Sequence, residues 1–243
     1  MIKLIEGNAL NVMGTMNAGS FDALITDPPY ASGGAILTDR QRETRLKYTS
    51  GKGKCPHLDF EGDKMDQRTW TRFMADILEN ARRLCKKGGV CVVFSDWRQL
   101  PSLSEALQRG GWTWRGIIVW DKLSSRPQPG RYRQQSEFAL WGSNGNLPTD
   151  RPVEPLPGVY RHANVQGRQR IHQTQKPLEL MQELIRITVP GGHILDPFAG
   201  SGSTLAAAEA EGYHATGIEI SHEIARLAAE RLDMQNDGEV WHR

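Results

Sequence analysis

No stretch of this chain approaches the roughly 20 consecutive apolar residues that cross a bilayer. The first ten residues, MIKLIEGNAL, carry no basic head, long apolar core or small-residue cleavage site, so a cytoplasmic protein without a membrane partner is expected. Cysteine is scarce. Cys55, Cys85 and Cys91 are an odd number without paired metal-ligand spacing, which argues against a disulfide framework and for reduced, structural thiols. Cys55 and His57 stand together in CPH, but two ligands without a second pair make a poor zinc site, and no metal is expected. Internal repeats and disorder-prone composition are also absent, and 243 residues suffice for one sizeable core. A single domain over residues 1–243 is therefore expected.

Acidic residues are missing from two particular places. From Arg40 to Lys54 six bases (Arg40, Arg42, Arg45, Lys47, Lys52, Lys54) face only Glu43. From Arg126 to Arg170, Arg126, Arg131, Arg133, Arg151, Arg161, Arg168 and Arg170 face only Glu137, Asp150 and Glu154. The end of the chain is acidic, so the small net charge of +2 conceals a polar molecule with one side suited to a polyanion.

Short apolar runs at Ile2 to Ile5, Ala23 to Ile25, Val90 to Phe94, Ile117 to Trp120, Phe138 to Trp141, Ile194 to Leu195 and Ala215 to Ile218 predict strands, most of them buried on both faces. Between them, helical spacing recurs from Trp70 to Leu84, from Leu100 to Leu107, from Pro177 to Ile185 and from Gly202 to Ala210, and Ser221 caps a last helix. Trp112, Trp114, Trp120 and Trp141 are assigned to core packing. The alternation predicts an α/β fold, an open and mostly parallel sheet with helices on both faces, binding ligands beyond the carboxyl ends of its strands. Asp27 and Asp196 both fall at that edge. The stretches 31–66 and 122–174 resist the pattern, and loops of that length tend to be functional.

Two segments carry chemistry. ITDPPY, Ile25 to Tyr30, ends a strand with an acid, two stiff prolines and an aromatic. HILDPFAGSGST, His193 to Thr204, ends a strand at Asp196, turns through Gly200 and Gly202, and opens a helix at Ser203. Its glycines permit close backbone approach, and the helix start offers free amide donors. After the next strand, Glu219 stands where a carboxylate accepts from both hydroxyls of a ribose.

DPFAGSGST with GIEIS resembles the S-adenosylmethionine site of class I methyltransferases. DPPY resembles the catalytic motif of amino-methyltransferases acting on DNA bases, and HQTQKP, His172 to Pro177, is similar to a motif that these enzymes place before the glycine turn. Catalytic motif first and cofactor motif last is the circularly permuted order of the β group. The resemblance runs from Gly7 to Arg231 and implies a Rossmann-like class I methyltransferase fold, with recognition loops at about 31–66 and 122–174.

By that resemblance, Asp196, Phe198, Gly200, Gly202, Ser203 and Thr204 cradle the cofactor, Glu219 holds its ribose, Lys176 meets its carboxylate, and Asn8 and Ala9 approach the adenine. Asn8 departs from the usual Asp. Asp27, beside the cofactor, and the Pro28 carbonyl accept from the two N–H bonds of an exocyclic amine, Pro29 stiffens the motif, and Tyr30 offers a face to a flipped base. The expected reaction is N6 methylation of adenine in double-stranded DNA, since relatives acting on N4 of cytosine often carry Ser at the position of Asp27. N4-cytosine methylation, a catalytically silent DNA binder and an RNA or protein-amide methyltransferase are the alternatives. Arg40, Arg42, Arg45, Lys47, Arg126, Arg131, Arg133, Gln134, Arg168 and Arg170 are candidates for DNA contacts. Members of this group often pair as homodimers and occur in prokaryotes and phages. A restriction endonuclease partner is left unassigned, and a short or loosely read target site is expected.

Overall fold

The computed structural model describes residues 1–31, 65–124, 127–164, 176–238 and 240–243. In chain order the elements are β1 (Ile2–Glu6), α1 (Ala9–Thr15), β2 (Phe21–Thr26), α2 (Gln67–Leu84), β3 (Cys85–Ser95), α3 (Leu100–Arg109), β4 (Thr113–Asp121), β5 (Ser136–Ser143), β6 (Val159–Arg161), α4 (Leu178–Ile185), β7 (His193–Asp196), α5 (Ser203–Ala210), β8 (His214–Glu219), α6 (His222–Arg231), β9 (Gln235–Asn236) and β10 (Val240–His242). The sheet order is β6-β4-β5-β3-β2-β7-β8-β1-β10-β9. Strands β3, β2, β7, β8 and β1 are mutually parallel, whereas β5 and β10 join them antiparallel on either side.

Alternate side chains of the parallel strands enter two different cores, as the two-residue period of a strand requires. Ala23 and Ile25 of β2, with Val90, Val92 and Phe94 of β3, pack against α4, α5 and α6. Leu24, Cys91 and Val93 pack on the other side, against α1, α2 and α3. Both faces being covered is why these strands read as unbroken apolar runs. Local signals start the helices. Asp66 caps α2 by accepting from the amides of Arg68 and Thr69, and Ser221 caps α6 at Ile224, so orphan N–H groups are satisfied at each start.

The chain leaves β2 outward through α2 to β3, and leaves β7 outward in the opposite direction through α5 to β8. The crevice at the carboxyl ends of the neighbouring β2 and β7 is thus the point where the winding reverses, the expected place for a ligand. Asp27 follows β2 directly and Asp196 ends β7. The Thr26 hydroxyl donates to Asp196 Oδ1 at 2.6 Å, tying two strand ends that lie 170 residues apart.

Four features differ from the sequence reading. Helix α1 spans seven residues, too few to display a periodic stripe. The three-residue β6 and the β9–β10 hairpin are strands by pairing alone; Leu4 of β1 aligns with the buried Trp241 of β10. Strand β4 is not covered on both faces, because it lies near the sheet edge, with Trp114 42% and Ile117 44% exposed. Trp114 is accordingly outside the core, while Trp112 and Trp120 are buried in it as expected. No helix among the described residues is long and apolar enough to cross a membrane.

Gly217 in β8 lies opposite Asp196, where a Cβ would come within 2.8 Å of both Ala199 Cβ and Leu205 Cδ1. Gly217→Ala is expected to lower unfolding free energy by about 1–3 kcal/mol through overpacking, as measured by urea denaturation; an unchanged midpoint would show that the turn yields freely.

Candidate active site

Two side chains from separate segments, one in α2 and one at the N-cap of α3, hold the DPPY segment. Trp70 of α2, fully buried, donates Nε1 to the Pro29 carbonyl at 2.6 Å. Gln99, just before α3, donates Nε2 to the Tyr30 carbonyl at 2.8 Å. The chain then turns at Ala31 with φ 49, a left-handed conformation unfavourable for a residue with a Cβ. Between Asp27 and Tyr30 the Pro28 carbonyl accepts no hydrogen bond among the described residues. Unlike those of Pro29 and Tyr30, it is left free for an incoming donor.

Around Asp27 lies a buried ionic cluster. Lys176 Nζ donates to Asp27 Oδ2 at 2.6 Å and to the Tyr30 hydroxyl at 3.1 Å, and it pairs with Glu137 Oε1 at 2.7 Å. Its three N–H bonds are thereby engaged. The ammonium lies 4.8 Å from the Phe94 ring centroid, 5.5 Å from that of Tyr30 and 5.9 Å from that of Trp120. The Tyr30 hydroxyl lies within donating distance of Asp27 Oδ1, at 2.5 Å, and of Glu137 Oε1, at 2.7 Å. Glu137 also pairs with Lys122 at 3.6 Å.

Burial pushes the Asp27 carboxyl up, the charge of Lys176 opposes this and that of Glu137 adds to it, leaving Asp27 above its ordinary value. Burial acts on Glu137 in the same sense. There the charge and hydrogen bond of Lys176, with help from Lys122 and Tyr30, win and hold it below the usual range. Burial would neutralise Lys176, but the two carboxylates keep it charged. The Tyr30 phenol is raised well above its ordinary value by burial and then by the charges of Asp27 and Glu137, so it stays protonated.

The glycine turn forms the other half of the crevice. Asp196 accepts at Oδ1 from Thr26 and from the Phe198 amide at 3.1 Å, and also from Thr204. Burial nevertheless raises it to about 6, against those hydrogen bonds. Gly200 and Gly202 have φ 50 and 76, values open to glycine with little strain. Gly202 is the N-cap of α5. The Ser203 hydroxyl at that helix start is buried without a partner among the described residues, and buried hydroxyls are seldom left so. Glu219, raised by burial, accepts from the amides of Gly200 at 3.0 Å and Ser221 at 2.9 Å. A free hydroxyl, open helix amides and a carboxylate beside the turn suit a ligand with polar groups at one end and a ribose at the other, so the residues present fit S-adenosylmethionine.

The structure brings Asn8 and Ala9 to the same edge, because Glu6 aligns with Glu219 and the Gly7 amide donates to the Glu219 carbonyl. Asn8 caps α1, its Oδ1 accepting from Leu10 and Asn11, so its acceptor is spent and its amide N–H bonds remain. Phe198 packs on Phe73 with the rings tilted at 58° and their centroids 6.0 Å apart. Lys176 contacts Asp27, Glu137 and Tyr30 where the sequence reading gave it to the cofactor. Arg131, Arg133 and Gln134 are exposed, beside a fully projecting Tyr132. Arg40, Arg42, Arg45, Lys47, Arg126, Arg168 and Arg170, together with Cys55, His57 and His172, lie outside the described residues. Among the described residues no group of three metal-ligating side chains occurs.

Sequence reasoning missed Glu137, which it counted only as one of the few acids in a basic stretch. An acid at the head of a buried strand, two residues before the Ala139–Leu140 pair, was the available signal, since burying a lone carboxylate demands a partner.

Comparison with known proteins gives the chain's family. Residues 21–230 match the family model N6_N4_Mtase, described as DNA methylase. The relative YubD of Escherichia coli (strain K12), named as a methylase, is 30% identical over 236 residues, covering 96% of this chain and 90% of that protein. The type II methyltransferase M2.DpnII of Streptococcus pneumoniae is 25% identical over 96% of this chain and 90% of its own. Among solved structures, the M1.HpyAVI–SAM complex superposes with a TM-score of 0.68 at 23% identity, covering 96% of this chain and all (100%) of that one. The PvuII DNA methyltransferase, cytosine-N4-specific, superposes with a TM-score of 0.71 at 17% identity over 98% of this chain and 88% of its own. The fold is that of the class I methyltransferases, and the chain belongs to the N6_N4_Mtase family of DNA methylases.

Proposed function

We propose that this protein transfers a methyl group from S-adenosylmethionine to the exocyclic N6 of adenine in double-stranded DNA, acting on a base turned out of the helix. The observation that carries this reading is the free Pro28 carbonyl next to Asp27, with the neighbouring carbonyls of Pro29 and Tyr30 already tied down. An exocyclic amine is a poor nucleophile because its lone pair is delocalised into the ring. Two acceptors aimed at its two N–H bonds draw that pair out and fix the nitrogen's direction. Each Asp27 oxygen accepts one bond and keeps a second lone pair, and the side chain is still 23% exposed, so the amine has access.

The cofactor supplies an electrophilic sulfonium methyl. Asp196, Glu219, Ser203 and Thr204 orient it from the glycine turn, and Asn8 offers its amide N–H bonds to the adenine. The nitrogen lone pair forms the new N–C bond as the C–S bond breaks, and that bond's electron pair stays on sulfur. The nitrogen then holds one proton too many, and Asp27, raised in basicity by burial, is the acceptor at hand. Asp in place of Ser at this position supports adenine. The likeness to a cytosine-N4-specific enzyme makes cytosine the second reading. Arg131 and Arg133 supply phosphate contacts on the exposed segment leading into β5.

Incubation with unmethylated duplex DNA and cofactor, followed by mass analysis of nucleosides, is expected to yield N6-methyladenine; N4-methylcytosine would transfer the reading to the second base. Asp27→Ala is expected to lose about a thousandfold or more in transfer rate, within the range for a positioned acid–base group, with cofactor binding retained in calorimetry. Activity near wild type would sink the assignment of this motif. Replacing Arg131 and Arg133 together by Ala is expected to lower the slope of log affinity against log salt by roughly 1 to 2 units; an unchanged slope would place the DNA face elsewhere.

Asp196 gives a pH prediction. Its pKa rises from an ordinary 3.8 to about 6 on folding, so between those values the folded state keeps a proton that the unfolded chain has released. This group's contribution to stability therefore declines as pH rises through that window and stays lost above it. Asp196→Asn is expected to flatten that decline and to raise the melting temperature above about pH 6 relative to wild type, while weakening cofactor binding. His193, depressed to about 4, acts oppositely in both proteins and cancels in the difference. A parallel pair of stability curves would refute the assignment.

A further inference from the structure

Glu137 has no part in the reaction as described, yet it is built into the cluster around Asp27 at the same distances as the motif residues. Resting on the reading of Asp27 as the group that takes the amine's proton, we propose that Glu137 is a positioning residue that sets Asp27's basicity by competing with it for the single ammonium of Lys176 and the single phenolic proton of Tyr30.

A phenol has one proton, and Tyr30 O lies 2.5 Å from Asp27 and 2.7 Å from Glu137, so it serves one carboxylate at a time. Lys176 is one positive charge, at 2.6 Å from Asp27 and 2.7 Å from Glu137, walled by Phe94, Tyr30 and Trp120. Two carboxylates therefore divide the neutralisation that one would need. A sole Asp27–Lys176 pair in so dry a place would hold its proton-free form too firmly to act as a base. With Glu137 present the share is split. Lys122, on the far oxygen of Glu137 at 3.6 Å, keeps Glu137 ionised, and Asp27 is left the more basic of the two. Among the described residues, the charged and titratable groups facing this pair are Lys176, Tyr30 and Lys122, with Asp196 behind Asp27.

The sequence supports the geometry. Glu137 is the second residue of β5, next to Phe138, which aligns with Ser95, so strand pairing with β3 fixes its backbone next to the carboxyl edge. Its role is through Asp27, which it reaches by way of Lys176 and Tyr30.

The test is the pH dependence of single-turnover methyl transfer, with saturating cofactor and duplex DNA, for wild type, Glu137→Gln and Glu137→Asp. Transfer requires Asp27 unprotonated, so the acid limb of the profile reports its pKa in the loaded complex. Glu137→Gln hands Lys176 and Tyr30 wholly to Asp27. Its limb is expected to move to lower pH, and its plateau rate to fall by about tenfold as a weaker base takes the proton, with KM for DNA and cofactor little changed. Glu137→Asp keeps the charge and is expected to return the limb toward its wild-type position. An unmoved limb in Glu137→Gln, or one displaced to higher pH, would overturn the proposal whatever happens to the rate. So would a loss expressed in KM alone. Should Glu137→Gln fail to fold, the Glu137→Asp profile decides, since a limb displaced as far as one unit from wild type is incompatible with a role carried by charge. Failure of the underlying reading looks different: Asp27→Ala would then keep its activity.

Discussion

The buried ammonium of Lys176 is the interaction on which the site depends. A charge in a box of aromatic rings is stable only with opposite charge in direct contact, and here it draws Asp27 from the end of β2, Glu137 from the start of β5 and Tyr30 from the proline turn to one point. Three segments distant in sequence are held by one group. The same charge divides basicity between the two carboxylates, while burial and the carboxylates' own charges keep Tyr30 a phenol.

The cluster is positioned by a sheet that needs no contribution from it. Parallel pairing of β2 with β3 on one side and β7 on the other places the catalytic motif and the glycine turn side by side, and the hydroxyl of Thr26 joins them at Asp196. Reversal of winding at this pair of strands opens a crevice between their carboxyl ends, and the paired strands beneath give it a rigid floor.

Much of this was legible in the chain. Fully covered strands such as β2, β3 and β7 announce themselves as short apolar runs because both their faces are buried, and α2 shows its stripe because it is long enough to repeat. The motifs at Asp27 and Asp196 were legible for another reason: proline, glycine and acid at fixed spacing constrain the backbone locally. Helix α1, strand β6 and the hairpin of β9 and β10 were not, since a few residues carry no period and their strand character comes from a partner. Strand β4 reads as buried from its composition, yet its place near the sheet edge exposes Trp114 and Ile117.

The sequence by itself determined the class of fold, the two motifs and the polarity of charge, because each rests on neighbours within a few residues. Only the tertiary structure decided what Lys176 touches and that Glu137 belongs to the site. Electrostatic partners in a buried cluster are chosen by distance in space, and Asp27 and Lys176 are 149 residues apart along the chain. The free carbonyl of Pro28 belongs to the same category. Proline stiffness is written in the motif, but whether the Pro29 and Tyr30 carbonyls are tied down depends on where Trp70 of α2 and Gln99 before α3 arrive.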